Sequence, residues 1–141
     1  MMHRCPDATL IGFGYLRDHI LCFPRRSKKR GCGVSSIEAR IGHDTWGVLW
    51  ELNESDFAAL DKNEGFRRDR DPAENAYNRV TVNINLDGDW LVAETYIATA
   101  EEGTHLPNAG YLEHLRAGAA YHGLPEGYRA FLDGLPDDAS G

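Results

Sequence analysis

Six histidines and three cysteines are the side chains best able to hold a metal or attack a substrate, and their spacing argues against either use. His3, His19, His43, His105, His114 and His122 form no HxH or HExxH pair. His114 and His122 stand eight apart on one predicted helix, too far to share an ion. Cys5, Cys22 and Cys32 are odd in number and form no CxxC, so they read as reduced thiols, not as a disulfide frame or zinc site. No GxSxG elbow presents a serine nucleophile. Gly12-Phe13-Gly14 lacks both the third glycine and the following helix of a dinucleotide fingerprint. A carboxylate is left. Glu64 stands near the end of TWGVLWELNESDFAALDKNEG, residues 45–65. A carboxylate tucked against aromatic surface loses hydration and keeps a proton more readily, which suits general acid–base work at neutral pH. Composition alone equally allows a solvated helix-end glutamate.

The elements around Glu64 follow from local pattern. Trp46, Val48, Trp50 and Leu52 fall on one face of an extended chain, a period of two that predicts a strand. Asn53 and Ser55 offer side-chain oxygens that can cap a helix, and Asp56 suits its first turn. Phe57 to Leu60 carry the helix on, and Gly65 supplies the backbone freedom to leave it. Glu64 is thereby expected at the exit of a short helix beside a tryptophan-bearing strand.

Upstream, Pro6 disfavours helix at Cys5. Thr9 to Leu16 reads as a strand whose Gly12 and Gly14 share one face, which predicts close approach by another backbone or strong curling of the sheet. Arg25-Arg26-Ser27-Lys28-Lys29-Arg30-Gly31 is a basic run. With no aromatic residue interleaved, it reads as a solvated connection in preference to an anion-binding loop. Val34 to Ile41 alternates, and Gly42-His43-Asp44 is expected to turn it into the Trp46 strand as an antiparallel hairpin.

Downstream, FRRDRDPAENA is charged, broken by Pro72, and reads as a surface loop. Tyr77 opens a strand with Val80, Val82, Ile84 and Leu86 inward. Asp87-Gly88 marks a tight turn, and Trp90 to Thr99 returns as the partner strand. Helices are predicted over Gly110 to Tyr121 and Glu126 to Leu135.

With 141 residues the chain suits one domain, expected over 1–135, with strands from about 8 to 100, helices from about 108 to 135 and a frayed tail over 136–141. The pattern predicts an α+β fold: a small mixed, mostly antiparallel β-barrel with peripheral short helices. A net charge of −7 argues against a nucleic-acid partner. No apolar run approaches a membrane span or a signal peptide, so a cytoplasmic location is expected.

The order WGVLWEL, a helix ending LDKNEG, Tyr77 opening a strand, VAETYIAT and then Asn108-Ala109-Gly110-Tyr111 resembles the γ-glutamylcyclotransferase family, with its AIG2-like fold. RCPDATLIGFGYLRDHILCFPRRS looks like that family's second strand and its approach, so the likeness runs to about Leu135. The resemblance implies one cleft in which the glutamate matching Glu64 is the catalytic base and then acid. It takes a proton from the α-amino group of a small γ-glutamyl substrate and returns it to the departing amine, without metal or cofactor. The products are 5-oxoproline and a free amino acid or amine. Tyr77, Tyr96 and Tyr111 match tyrosines lining that cleft, as substrate-binding groups; as residues alone they could equally be core or rim aromatics.

The family also begins with a strand and a YGSN-type loop whose N–H groups hold the glutamyl end. This sequence has none, and Met1 to Cys5 aligns beyond it. Losing one oxyanion donor can cost ~100-fold in rate. Two explanations stand: the first residue is an internal methionine of a longer protein, or the chain is a short variant, inactive or completed by a partner. The rival to the enzyme is thus a non-catalytic binding module, dimerising through an exposed sheet edge. A related acyl- or amine-directed cyclotransferase is a third option.

Overall fold

Two long strands form one ribbon against which everything else is assembled. The computed structural model describes residues 8–27 and 30–137. Met1 to Asp7, Lys28, Lys29 and the last four residues, with the expectations that fall on them, lie outside the described residues. The elements run β1 (Thr9–Ser27), β2 (Cys32–Glu51), α1 (Glu54–Glu64), a short 3-10 turn (Pro72–Glu74), β3 (Tyr77–Leu86), β4 (Asp89–Ala98), α2 (Ala109–Tyr121) and α3 (Glu126–Asp133). The fold is α+β, with one antiparallel sheet in the order β2-β1-β3-β4.

The expected barrel is an open sheet. Among the described residues no ladder joins β2 to β4; one side-chain bond bridges them, from the Ala98 N–H to Ser36 Oγ at 2.9 Å. Of the two outcomes expected from the paired glycines, close approach by another backbone is the one found. A Cβ at Gly14 would lie 2.4 Å from the Asn85 carbonyl oxygen, so β3 crosses β1 closely there, next to the Tyr15–Asn85 pair.

The hairpin expected at Gly42-His43-Asp44 is absent. β2 runs through it and pairs with β1 on both sides, because the turn of that hairpin lies instead in the basic run. Gly42 sits in a bulge where Arg40, Ile41, Gly42 and His43 stand opposite the single residue Asp18. Asp18 takes a positive φ of 60° and its carboxylate accepts the Gly42 N–H at 3.0 Å, so a side chain replaces the missing ladder bond. The second turn is as expected: Asp87 and Gly88 both take positive φ, as a type I′ hairpin requires.

Helices α2 and α3 close one end. Ala119, Leu124 and Leu132 form the buried cluster, joined by Phe13, Leu21, Trp46 and Phe131 from sheet and helix. Arg116 donates to the carbonyls of Leu132 and Leu135, satisfying acceptors that the end of α3 leaves open. No helix among the described residues is long and apolar enough to cross a membrane.

Candidate active site

Helix α1 holds Glu64 by both of its ends. Asn53 accepts the Asp56 N–H while Asp56 accepts the Asn53 N–H, a reciprocal cap that fixes where the helix begins. Gly65 ends it in the left-handed conformation at φ 72°, one residue after Glu64. Glu64 is half-buried, and the Asn63 amide approaches it at 3.4 Å.

The loop between Glu64 and Tyr77 is built around a residue that sequence pattern did not single out. Asn75 is 2% exposed. Its Oδ1 accepts from the Arg67 N–H and from Arg70 Nε, and its Nδ2 donates to the Arg67 carbonyl and to Asn78 Oδ1. Arg70 in turn donates to the Gly65 carbonyl at 2.9 Å. The stretch expected to be a plain surface loop is therefore locked to the exit of α1 and to the start of β3, the two points that hold Glu64 and Tyr77. A buried asparagine looks like any loop asparagine until its partners fold around it.

Tyr77 and Tyr111 meet on Ser35 of β2. The Tyr77 hydroxyl donates to the Ser35 carbonyl at 3.2 Å. The Tyr111 hydroxyl accepts the Ser35 N–H at 3.0 Å and pairs with Ser35 Oγ at 2.8 Å. Tyr111 reaches β2 because residues 105–106 lie directly on the start of that strand. The Gly33 N–H donates to the Leu106 carbonyl at 2.8 Å, and any Cβ on Gly33 would overlap the His105 carbonyl. Asn108 caps α2 through the Tyr111 N–H.

Electrostatics ties Glu64 to this pair. The Tyr77 phenol is pushed up to about 12, first by burial, then by Tyr111 and by the Glu64 carboxylate, while Arg25 and Arg30 pull it the other way. The two arginines belong to the basic run, which is less free than its composition suggests. Arg25 and Arg26 lie inside β1, and Arg25 donates to the Thr99 carbonyl at 3.2 Å. The guanidinium of Arg30 lies 5.2 Å from the centre of the Tyr111 ring. The aromatic partner that the run lacks in sequence comes from a residue 81 positions away.

Tyr96, two rungs from Tyr77 on the β3–β4 ladder, holds a different partner. Its hydroxyl donates to Asp61 at 2.6 Å, and Asp61 also pairs with Arg79 at 2.9 Å. Burial first, then the bond to Asp61, holds the Tyr96 phenol well above the usual range. Arg79 lies over Phe57 and Phe66, so the triad clamps α1 onto β3 and β4 one turn before Glu64. Tyr96 also lines an apolar cavity of about 620 Å³ with Trp46, Trp50, Phe57, Leu60 and Ile84. The tryptophans expected to shelter Glu64 face this cavity, which Glu64 does not line. The carboxylate acts instead on the Tyr77 phenol. Among the described residues no group of histidine, cysteine or carboxylate side chains could hold a metal ion.

Known proteins can be set beside this geometry. Residues 44–132, well over half of the chain, match the AIG2-like family. The chain belongs to that family. This AIG2-like protein is 28% identical over 144 residues to a γ-glutamylcyclotransferase of Bos taurus, covering 98% of the chain and 73% of the relative. The γ-glutamylcyclotransferase of Homo sapiens is similar at 27% identity with the same coverage. A solved structure described as a γ-glutamyl cyclotransferase superposes with a TM-score of 0.86 at 26% identity, over 99% of this chain and 82% of that one.

Proposed function

We propose that this AIG2-like protein is a γ-glutamyl cyclotransferase-type enzyme, cytoplasmic, acting on small γ-glutamyl amino acids or amines. The supporting observation is a half-buried carboxylate at a helix end, Glu64, whose charge acts on Tyr77, one of two phenols held on Ser35. The relatives named for this activity point the same way.

The chemistry asks little of the protein. Glu64 takes a proton from the substrate's α-amino group, whose nitrogen then bonds to the γ-carbonyl carbon. The tetrahedral species collapses, the bond to the leaving nitrogen breaks, and Glu64 returns the proton to that nitrogen. One carboxyl group thus balances the whole reaction. Nucleophile and electrophile belong to one molecule, so holding it folded supplies much of the rate. Tyr77 and Tyr111 shape the site that folds it. Tyr96 acts through Asp61 as a positioning residue for α1.

One observation favours the rival reading of a binding module without turnover. The Ser35 N–H, a backbone donor between the two phenols, is already taken by Tyr111. The deciding measurement is release of 5-oxoproline from γ-glutamylalanine. We expect release by the protein with the YGSN-type loop supplied, in the same chain or by a partner, and a loss of at least about 100-fold in its Glu64→Gln variant, the scale of removing a group that shuttles protons. Equal release by Glu64→Gln overturns the assignment of Glu64. Binding of 5-oxoproline without turnover of any γ-glutamyl compound supports the rival.

A further inference from the structure

The tip of the β1–β2 ribbon holds a cation that neither the fold nor the proton transfer uses. The turn carrying Arg30 is closed by the Gly31 N–H on the Ser27 carbonyl at 2.8 Å and by the Arg30 N–H on Ser27 Oγ at 3.2 Å. The guanidinium lies over the face of Tyr111, and no ion pair of Arg30 occurs among the described residues. With Cys32, Asn108, Gly110, Tyr111 and His114, Arg30 lines a cavity of about 430 Å³. That volume suits a small ligand. Among the described residues the wall contains no carboxylate to neutralise the arginine. Arg25, the other cation acting on Tyr77, already donates to Thr99.

We propose that Arg30 is a specificity-determining residue that binds a carboxylate of the substrate in the cavity beside Tyr111. This rests on the γ-glutamyl reading above and adds to it a residue outside the Glu64–Tyr77 pair. A guanidinium carbon 5.2 Å from the ring centre draws on the ring face and still has N–H groups able to donate. A carboxylate fits a guanidinium edge with two parallel hydrogen bonds, a geometry that lysine cannot reproduce. Tyr111 joins the two ends of the site, with its hydroxyl on Ser35 and its ring under Arg30. The substrate it fits carries an anionic group a short distance from the reacting amide. A γ-glutamyl amino acid has two such groups, one on the glutamyl part and one on the leaving part.

Three substrates separate them: γ-glutamylalanine; γ-glutamylethylamide, which lacks the leaving carboxylate; and 4-aminobutanoylalanine, which lacks the glutamyl one. For γ-glutamylalanine, Arg30→Ala is expected to raise KM at least about tenfold, equivalent to ~1.4 kcal/mol, with kcat little changed. Arg30→Lys recovers part of the loss. Arg26→Ala, an exposed neighbour, serves as the control and changes nothing. With the analogue lacking the bound carboxylate the Arg30→Ala effect vanishes, and which analogue behaves so identifies the group. An unchanged KM for γ-glutamylalanine, or the same shift with all three substrates, overturns the proposal. If no substrate is turned over, the cyclotransferase reading fails separately, and calorimetric titration with γ-glutamylalanine still judges Arg30. Binding weakened about tenfold in Arg30→Ala upholds the anion site, and binding indifferent to the substitution removes it.

Discussion

Tyr111 grips Ser35 at two points, 3.0 Å from its backbone nitrogen and 2.8 Å from its hydroxyl. The same serine takes the Tyr77 hydroxyl on its carbonyl, so one residue of β2 sets the spacing of two phenols that are 34 positions apart in sequence. Tyr111→Phe strips two hydrogen bonds from Ser35 while keeping the ring. We expect a loss of ~1–2 kcal/mol in unfolding free energy. Adding Tyr77→Phe gives a double mutant whose cost departs from the sum by ~0.5 kcal/mol or more, because both act on one residue. Denaturant midpoints of the four proteins measure it.

Asn75 predicts the second outcome. Its four hydrogen bonds hold the connection from Glu64 to Tyr77, and it is almost wholly buried. Asn75→Ala leaves several polar groups unpaired, so a loss of ~3 kcal/mol is expected. Any 5-oxoproline release falls mainly in kcat, since the two groups that loosen are those proposed to surround the reacting atoms. Chemical denaturation and steady-state kinetics check the two halves.

Tyr96→Phe removes the bond to Asp61 and leaves the Asp61–Arg79 pair in place. The expected cost is ~1–2 kcal/mol, as for a hydrogen bond to a partly exposed charge. Asp61→Ala costs more, because Arg79 keeps its position under little solvent with no anion beside it. Activity falls only as far as α1 loosens. A Tyr96→Phe protein with intact stability and a large rise in KM would instead put that phenol on the substrate.

Alkaline pH is the fourth test. Below pH ~10 the Tyr77 phenol is protonated in both folded and unfolded chains and adds no pH dependence. Above that the unfolded chain gives up the proton while the folded one keeps it to about 12, so the folded state binds more protons and rising pH favours unfolding. Tyr128, pushed up to about 12 by burial, acts in the same direction. Cys22, whose thiol burial pushes up to about 11, acts the same way from about pH 9, so stability should begin to decline there and fall more steeply between 10 and 12. The fall is shallower in Tyr77→Phe, by thermal melts across that range.

What could be read ahead of the structure was whatever depends on near neighbours. The Asn53–Asp56 cap, the Gly65 exit and the Asp87-Gly88 turn are settled within a few residues, and all three stand where their side chains and φ preferences put them. Gly14 was legible too, since missing side chains on one strand face imply a close crossing. Gly42-His43-Asp44 misled because a bulge and a turn favour the same residues; only the partner strand, with Asp18 supplying a carboxylate, distinguishes them. Tyr77, Tyr96 and Tyr111 look alike in sequence. The first two sit two rungs apart at the same end of the β3–β4 ladder, and what separates them is the nearest acceptor: Ser35 for one, Asp61 for the other. Arg30 was hidden for the same reason, its aromatic partner being remote along the chain.

The uneven spread of charge has a consequence for arrival. The molecule as a whole carries −7, yet Arg25 and Arg30 both act on Tyr77 from the end of the ribbon beside Tyr111. An anionic solute is turned away over most of the surface and drawn in at one pole, so diffusion is biased toward the productive approach. The bias reaches only about 8 Å at physiological ionic strength. It therefore operates as a last-step guide at the mouth of the cavity, and added salt should slow capture while leaving the chemical step untouched.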